Sequence, residues 1–436
     1  MGKVVASHQA LVLNAFAMLL QNNLVTGDAV TWNELDAEMD DRNGLKVIEQ
    51  TSPRYRVTRT EGGVRDLTSG TDDSVFGSEL FEITGTFNAN MGWGDFQAIR
   101  DIQSARRSEA LKGAAVSMAE QIDAYILGVA GLASADWVGD GSSAVSAWNL
   151  AAAAHTRLAE NGVNDDGLSY ILNYTDKERL GSSVTQLPAP DGMATSTFRR
   201  GFTGEIDGIR TMFTNQLPVF STGSRSSTTA AVNGANQNVD YSAVARAGSV
   251  NGRSLTQTLN VNAGGNNVTY KKGEVFTIAG VFAYDNRKQG PVTPARLQQF
   301  TVVADATASG TGEVALTIFP AIIVPGTGTG SEIATNQAQA TVTAAPASGA
   351  LLTFKGNASS QLSPRMLIQK QAIVVNTAPL IMPSSDTAAR RKLSKIPLTV
   401  RMWSHSDFHT GAHGVRFDVA LNANIRERRR ISRLNG

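Results

Sequence analysis

The sequence predicts an α+β protein interrupted by an inserted antiparallel β module, and three observations carry that prediction. Leu111, Ala115, Met118, Ile122, Tyr125 and Val129 recur at spacings of four and three, the stripe of a long helix packed along one side. From Lys271 to Ile322 the chain alternates with period two: Phe276, Ile278, Phe282 and Tyr284 share one parity, Val275, Thr277, Ala279 and Val281 the other. Between Ser224 and Ala350 only 14 of 127 residues are charged and Gly, Ala, Thr, Ser and Asn dominate, so this stretch is marked as a module of its own.

Taken in order, Val4 to Leu24 forms a helix buried over most of its circumference, with Val5, Val12, Phe16 and Leu19 among its apolar groups. Leu45 to Ala89 turns to Thr, Arg, Asp and Gly, with strand-like ends at Tyr55/Val57 and Phe81/Ile83, the pattern of a long hairpin or of an unusually long loop. The long helix extends over Asp95 to Leu132. A further helix, Val145 to Glu160, places Val145, Trp148, Ala152, His155 and Leu158 on one face, makes His155 a packed histidine, and stops at Asn161-Gly162.

A strand, Leu168 to Leu172, precedes Thr175-Asp176-Lys177-Glu178, read as a capping box that opens another helix. The strands of the β module end in turn material at Asp285-Asn286, Ser309-Gly310-Thr311-Gly312 and Pro325-Gly326, as in a sandwich or small barrel. Strands at Ala372 to Val375, Ile396 to Trp403 and Gly414 to Asn422 follow, and the chain closes on Arg426, Arg428, Arg429, Arg430 and Arg433.

At 436 residues the chain holds roughly two or three cores of about 150 residues. Its 39 basic and 38 acidic residues give no overall reason for strong nucleic-acid or anionic-membrane binding. The absence of cysteine removes disulfides, thiol catalysis and thiolate metal sites together. The apolar run Leu11 to Leu20 is about half of the roughly 20 residues a membrane span needs, and Gln21-Asn22-Asn23 stand where a signal peptide would be cleaved.

No phosphate-binding Gly-Lys-Ser/Thr loop, nucleophile elbow or dinucleotide fingerprint occurs, and Gly326, Gly328 and Gly330 lack the lysine and helix of a phosphate cradle. His405, His409 and His413 would align on a helix as metal ligands, but Gly411 and Gly414 favour a hairpin turn, so no metal or cofactor is assigned. The terminal arginines suit phosphates, a neighbour's acidic surface, or a solvated tail. In the polar hairpin, Arg54, Arg56, Arg59 and Arg65 precede Asp72, Asp73, Glu79 and Glu82, a layout for complementary contacts between copies or for pairing within the hairpin.

Four segments in this order, Ala147-Trp148-Asn149, Leu168 to Thr175, Arg200-Gly201-Phe202 through Leu217-Pro218-Val219, and KKGEVFTIAGVFAYD, together with the closing GVRFDVALNANI, carry a resemblance. The chain resembles the major capsid protein of tailed double-stranded DNA phages. It is similar to the coat proteins of the short-tailed Salmonella phage type, an HK-type capsid fold with an inserted β-barrel.

The resemblance implies a structural protein and not an enzyme, whose pentamers and hexamers close into an icosahedral shell assembled in the host cytoplasm. It implies an N-terminal arm (1–44), an extended-loop hairpin (45–89), a spine helix and peripheral domain (90–149), an axial domain (150–223), the barrel (224–350) and return strands (351–436). The partners it implies are other copies, a scaffolding protein, a portal, packaged DNA bound without sequence preference, and decoration proteins, with no membrane. The segment around Asp240, Arg246 and Arg253 would reach an adjacent capsomer. The chain has no acidic residue before Asp28, so a charge-mediated scaffold contact is not carried over to the first helix. The competing readings are a β-rich decoration or tail binding protein, weakened by the lack of tryptophan in Ser224 to Ala350, and a metal enzyme on the histidine cluster.

Overall fold

The computed structural model describes residues 2–39, 45–51, 77–92, 108–141, 148–184, 205–225, 229–241, 249–250, 255–285, 287–327, 336–382, 387–406 and 413–435. Three six-stranded sheets organise it. The first is built around the 13-residue strand His413–Ile425, which pairs along one side with Thr86–Gly92 and along the other with Thr399–Ser406 and then Ile373–Ala378. Thr387–Lys392 and Thr31–Glu34 form its edges.

Two helices cover this sheet. Val12, Leu13, Phe16 and Leu20 of the N-terminal helix, Gly2–Asn23, are buried in the largest core, where the Phe16 ring stacks on Phe417 at 4.0 Å. The long helix is Glu109–Ala133, started by Ser108, whose hydroxyl accepts from the Leu111 amide. It therefore begins at Glu109 and not at Asp95, since the Ser108 cap ends it on the N-terminal side. Leu111, Ala115, Met118 and Ile122 of the predicted stripe are fully enclosed. Asp123, on the same helix, accepts from the amides of Val25 (2.9 Å) and Thr26 (3.0 Å) and from the Thr26 hydroxyl (2.5 Å), latching the end of the first helix to the second. Burial pushes the Asp123 carboxyl up, against the pull of those donors. No helix of the described residues is long and apolar enough to cross a membrane.

The second sheet runs Asp136–Val138, Ile431–Leu434, Arg365–Gln369, Leu168–Leu172, Ile209–Phe213 and Glu205–Ile206 in spatial order. Leu168–Leu172 is buried at every position, as a central strand should be. Helix Trp148–Glu160 packs here through Ala151, Ala154 and Leu158; of the predicted face Leu158 is buried and Trp148 half-buried, but Ala152 is exposed and His155 sits on the shoulder. Four consecutive alanines at 151–154 carry no amphipathic signal, so the stripe could not be phased from sequence. The predicted stop holds, with Gly162 at φ 84°.

The capping box lies earlier than expected. Asn173 caps helix Tyr174–Val184, and Asp176 returns a bond to the Asn173 amide at 2.8 Å. Asp176 also takes the Arg365 guanidinium at 2.8 Å, tying the helix start to the neighbouring strand.

The third sheet is the insertion. Its antiparallel order is Ala231–Val232, Gln257–Asn262, Glu313–Phe319, Leu297–Val302, Val275–Phe282 and Leu352–Phe354. The two edges then meet: a bridge joins Ala231 to Leu351, and backbone bonds run from Val232 to Ala350, Gly349 to Val232 and Leu352 to Ala230. The sheet is thus closed into a barrel around Leu259, Phe276, Ile278, Phe300, Leu316 and Ile318. The last staves lie past Ala350, because composition does not change where the barrel closes.

One parity assignment is corrected. Gly280 adopts φ 80° and the pairing register shifts between Thr277 and Phe282, so a bulge reverses the alternation. Val281 points into the core at 1% exposure while Phe282 is 40% exposed.

Candidate assembly interface

Of the residues proposed for contacts between copies, Arg54, Arg56, Arg59, Arg65, Asp72, Asp73, Arg246 and Arg253 lie outside the described residues. Around them, Leu45–Thr51 pairs in antiparallel register with Gly77–Ile83, which sets Lys46 opposite Glu82. Their side chains meet at 3.5 Å, both well exposed, so at the described base of the hairpin the charges pair within the chain. Asp240 is half-buried and accepts from the Asn336 side chain at 2.8 Å, while the Tyr241 amide donates to the same asparagine at 2.7 Å.

The most elaborate polar structure is one the sequence did not single out, the neck between barrel and body. The chain enters the barrel through Phe220–Ser221, which pairs with the returning Gln361–Leu362. Beneath them, the Gln299 side chain accepts from the Trp137 amide (2.7 Å) and donates to the Trp137 carbonyl (2.9 Å), filling the place of a neighbouring strand along the edge of the second sheet. Thr301 donates to the Ser134 carbonyl at 2.8 Å. On the far side, Arg287 donates to the Ala159 carbonyl (2.9 Å) at the end of helix Trp148–Glu160, and Arg296 pairs with Glu160 at 2.8 Å.

Two buried charged sites lie in this neck. Arg225 faces Glu274 at 3.1 Å with both side chains fully enclosed, and its Nη2 donates to the carbonyls of Lys355 (2.8 Å) and Gly356 (3.1 Å). Glu274 accepts from the amides of Gly223 (2.9 Å) and Lys271 (3.0 Å). Burial pushes the Glu274 carboxyl up and the Arg225 guanidinium down, so for both members desolvation outweighs their attraction. Gly223 is obligatory here: a Cβ would stand 1.9 Å from the Thr269 carbonyl oxygen.

Arg433 is the second. It is fully enclosed, and its Nε, Nη1 and Nη2 have no hydrogen-bond partner among the described residues; the guanidinium instead lies 4.7 Å from the Trp137 ring and 5.8 Å from Phe220. Burial pushes its pKa below the usual arginine range. Arg433→Met, which keeps the volume and removes the desolvated charge, is expected to leave the melting temperature unchanged or raise it; Arg433→Ala, which leaves a hole, is expected to lower stability by about 2–5 kcal/mol. Thermal unfolding of the two variants side by side checks this.

The arginine cluster is therefore not a solvated tail. Ile431–Leu434 lies inside the second sheet, Arg430 binds Glu427 (2.6 Å), Gln369 (2.6 Å) and Gln371 (2.9 Å), and Arg428 stacks over Phe319 at 5.4 Å. Ile431 and Leu434, the apolar residues that close the strand holding Arg433, are the signal that could have revealed this. Of the histidine cluster, His409 lies outside the described residues, while the strands that hold His405 and His413 pair in antiparallel register, Ser406 opposite His413. Among the described residues no group of His, Cys, Asp and Glu is arranged to hold a metal ion.

A family model described as P22 coat protein, gene protein 5, matches residues 16–429. No curated protein matches the chain. Among solved structures, it is similar to one of Mycobacterium phage Che8 (10% identity, 90% of this chain and 85% of that one, TM-score 0.39). It is also similar to the mature capsid of bacteriophage PhiM1 (9%, 95% and 86%, 0.40) and to a virus-like particle from Pyrococcus furiosus (7%, 98% and 98%, 0.36). With a match that leaves out only the ends of the sequence, the chain belongs to the P22 coat protein family.

Proposed function

We infer that this chain is the major capsid protein of a tailed phage, a structural protein and not an enzyme, many copies of which close into an icosahedral shell. The observation that carries this is the family match over residues 16–429. It is supported by a closed barrel set into an α+β body between Phe220–Ser221 and Gln361–Leu362.

Within that reading the long helix Glu109–Ala133 serves as the spine, the hairpin on Leu45–Thr51 and Gly77–Ile83 as the extended loop over a neighbour, and the second sheet as the axial part. Arg54, Arg56, Arg59, Arg65, Asp72, Asp73, Asp240, Arg246 and Arg253 are the proposed contacts between copies. A scaffolding protein and portal during assembly, DNA inside the finished shell, decoration proteins outside it and assembly in the bacterial cytoplasm complete the proposal. Exposed ion pairs contribute only about 0–1 kcal/mol each, so the lattice relies on many repeated weak contacts together with apolar burial.

The expressed chain, fractionated by size exclusion and imaged by electron microscopy, is expected to give closed shells or rings of five and six. A persistent monomer, even with its native scaffolding protein present, would overturn the inference.

A further inference from the structure

His155 is placed between two carboxylates, and both ring nitrogens are engaged: Nδ1 lies 2.7 Å from Asp207 Oδ2 and Nε2 2.8 Å from Asp165 Oδ1. A neutral imidazole carries one N–H, so in that form one carboxylate would face a lone pair at hydrogen-bond distance. The geometry requires the doubly protonated ring. The three residues come from separate elements. His155 stands on helix Trp148–Glu160, Asp165 on the loop before strand Leu168–Leu172, and Asp207 in the turn that joins Glu205–Ile206 to Ile209–Phe213.

That turn is strained toward one shape, with Asp207 at φ 53° and Gly208 at φ 73°, the paired left-handed conformations of a tight hairpin. It forms the outer edge of the second sheet. The His155 ring is about one-fifth exposed, while Asp165 and Asp207 are mostly open to solvent. Asp166 follows Asp165 in the loop and is anchored through its carbonyl by Gln369 at 3.2 Å. Beneath the turn, Tyr170 donates to the Ala151 carbonyl at 2.9 Å, and on its far side Arg210 pairs with Asp28 at 3.1 Å. Arg157 and Glu160, on the same helix as His155, pair with each other at 3.6 Å.

We propose that His155, Asp165 and Asp207 form a proton-set clasp that holds the edge hairpin and the preceding loop against helix Trp148–Glu160. The clasp is a property of the single subunit and does not depend on shell formation. The Asp165 hydrogen bond, helped by the Asp207 bond and opposed by burial, raises the His155 pKa above its ordinary value. Its contribution is therefore complete below the ordinary histidine pKa of about 6.5 and is lost as pH rises through the raised value. When the ring gives up its proton, two carboxylates are left with one donor between them and the hairpin loosens.

Hydrogen exchange of the full chain, read at peptides covering 163–167 and 205–210 at pH 6 and pH 9 and corrected for intrinsic rates, tests this. In the unsubstituted protein, protection at 205–210 is expected to fall severalfold between pH 6 and pH 9, as the ring loses the proton that both carboxylates share. His155→Arg, a permanent cation, should stay protected at both pH values, and His155→Gln should be unprotected at both. Asp207→Asn should move the midpoint of the transition to lower pH. The barrel strand Leu297–Val302 provides the internal reference. An equal response in His155→Gln and the unsubstituted chain, opening of His155→Arg with pH, or an unmoved midpoint in Asp207→Asn would each overturn the clasp.

Discussion

Asp418→Ala will destabilise the subunit by about 3–5 kcal/mol, the cost of leaving buried charges without their partner. Asp418 is fully enclosed at the centre of the 13-residue strand, directly opposite Arg401 in the ladder. It takes Arg401 at 2.7 Å through one oxygen and Arg416 at 2.6 Å through the other, while both guanidinium groups lie over the Trp403 ring. Removing the carboxylate takes from Arg401, almost fully buried, the anion that faces it across the ladder. Arg401→Met combined with Asp418→Leu should recover most of the loss, because an apolar pair of similar volume avoids both desolvation costs. Urea unfolding of the soluble subunit measures the difference; a single variant that loses under 1 kcal/mol would show that water reaches the site.

A thermodynamic cycle at the neck should give the second large effect. Glu274→Leu strands Arg225 without a counter-charge and also removes the acceptor of the Gly223 and Lys271 amides, for an expected cost of about 3–5 kcal/mol. Arg225→Met alone should cost a similar amount. The double variant should cost clearly less than the sum of the two, since each single change already breaks the pair. Additivity would instead mean that the backbone acceptors at Lys355 and Gly356, and not Glu274, hold the arginine.

How much of this was legible depended on how local the cause was. The stripe on the long helix, the buried strand Leu168–Leu172 and the alternation at Phe276/Ile278 declare themselves because each pattern repeats within a few residues. Gly280 shows the limit of that logic: one residue with positive φ exchanged the fates of Val281 and Phe282 without altering the pattern on the page. The helix holding His155 was misphased because its alanines do not discriminate between faces, and so the carboxylates around the ring went unseen.

The neck was invisible for a different reason. Gln299 and Trp137 are separated by 162 positions and Arg225 and Lys355 by 130, and none of these residues is unusual for its surroundings. The C-terminal arginines misled in the opposite direction. As a run of like charge they suggested phosphates, a neighbour's acidic surface or a solvated tail, yet Ile431 and Leu434 draw Arg433 into an inner strand, and Arg428–Arg430 form the short helical turn before it.

The way the barrel is attached has a consequence for grafting. Because Phe220–Ser221 and Gln361–Leu362 run side by side, the insertion could be excised at that point and the cut ends joined by a short turn without stretching the body. Connectivity would survive such surgery, but solvation would not. The body would be left with the Trp137 peptide group, the Ser134 carbonyl and the last turn of helix Trp148–Glu160 all stripped of their donors and acceptors. A transplant that succeeds has to carry a replacement for the Gln299 amide, or else present a bare sheet margin to the next molecule it meets.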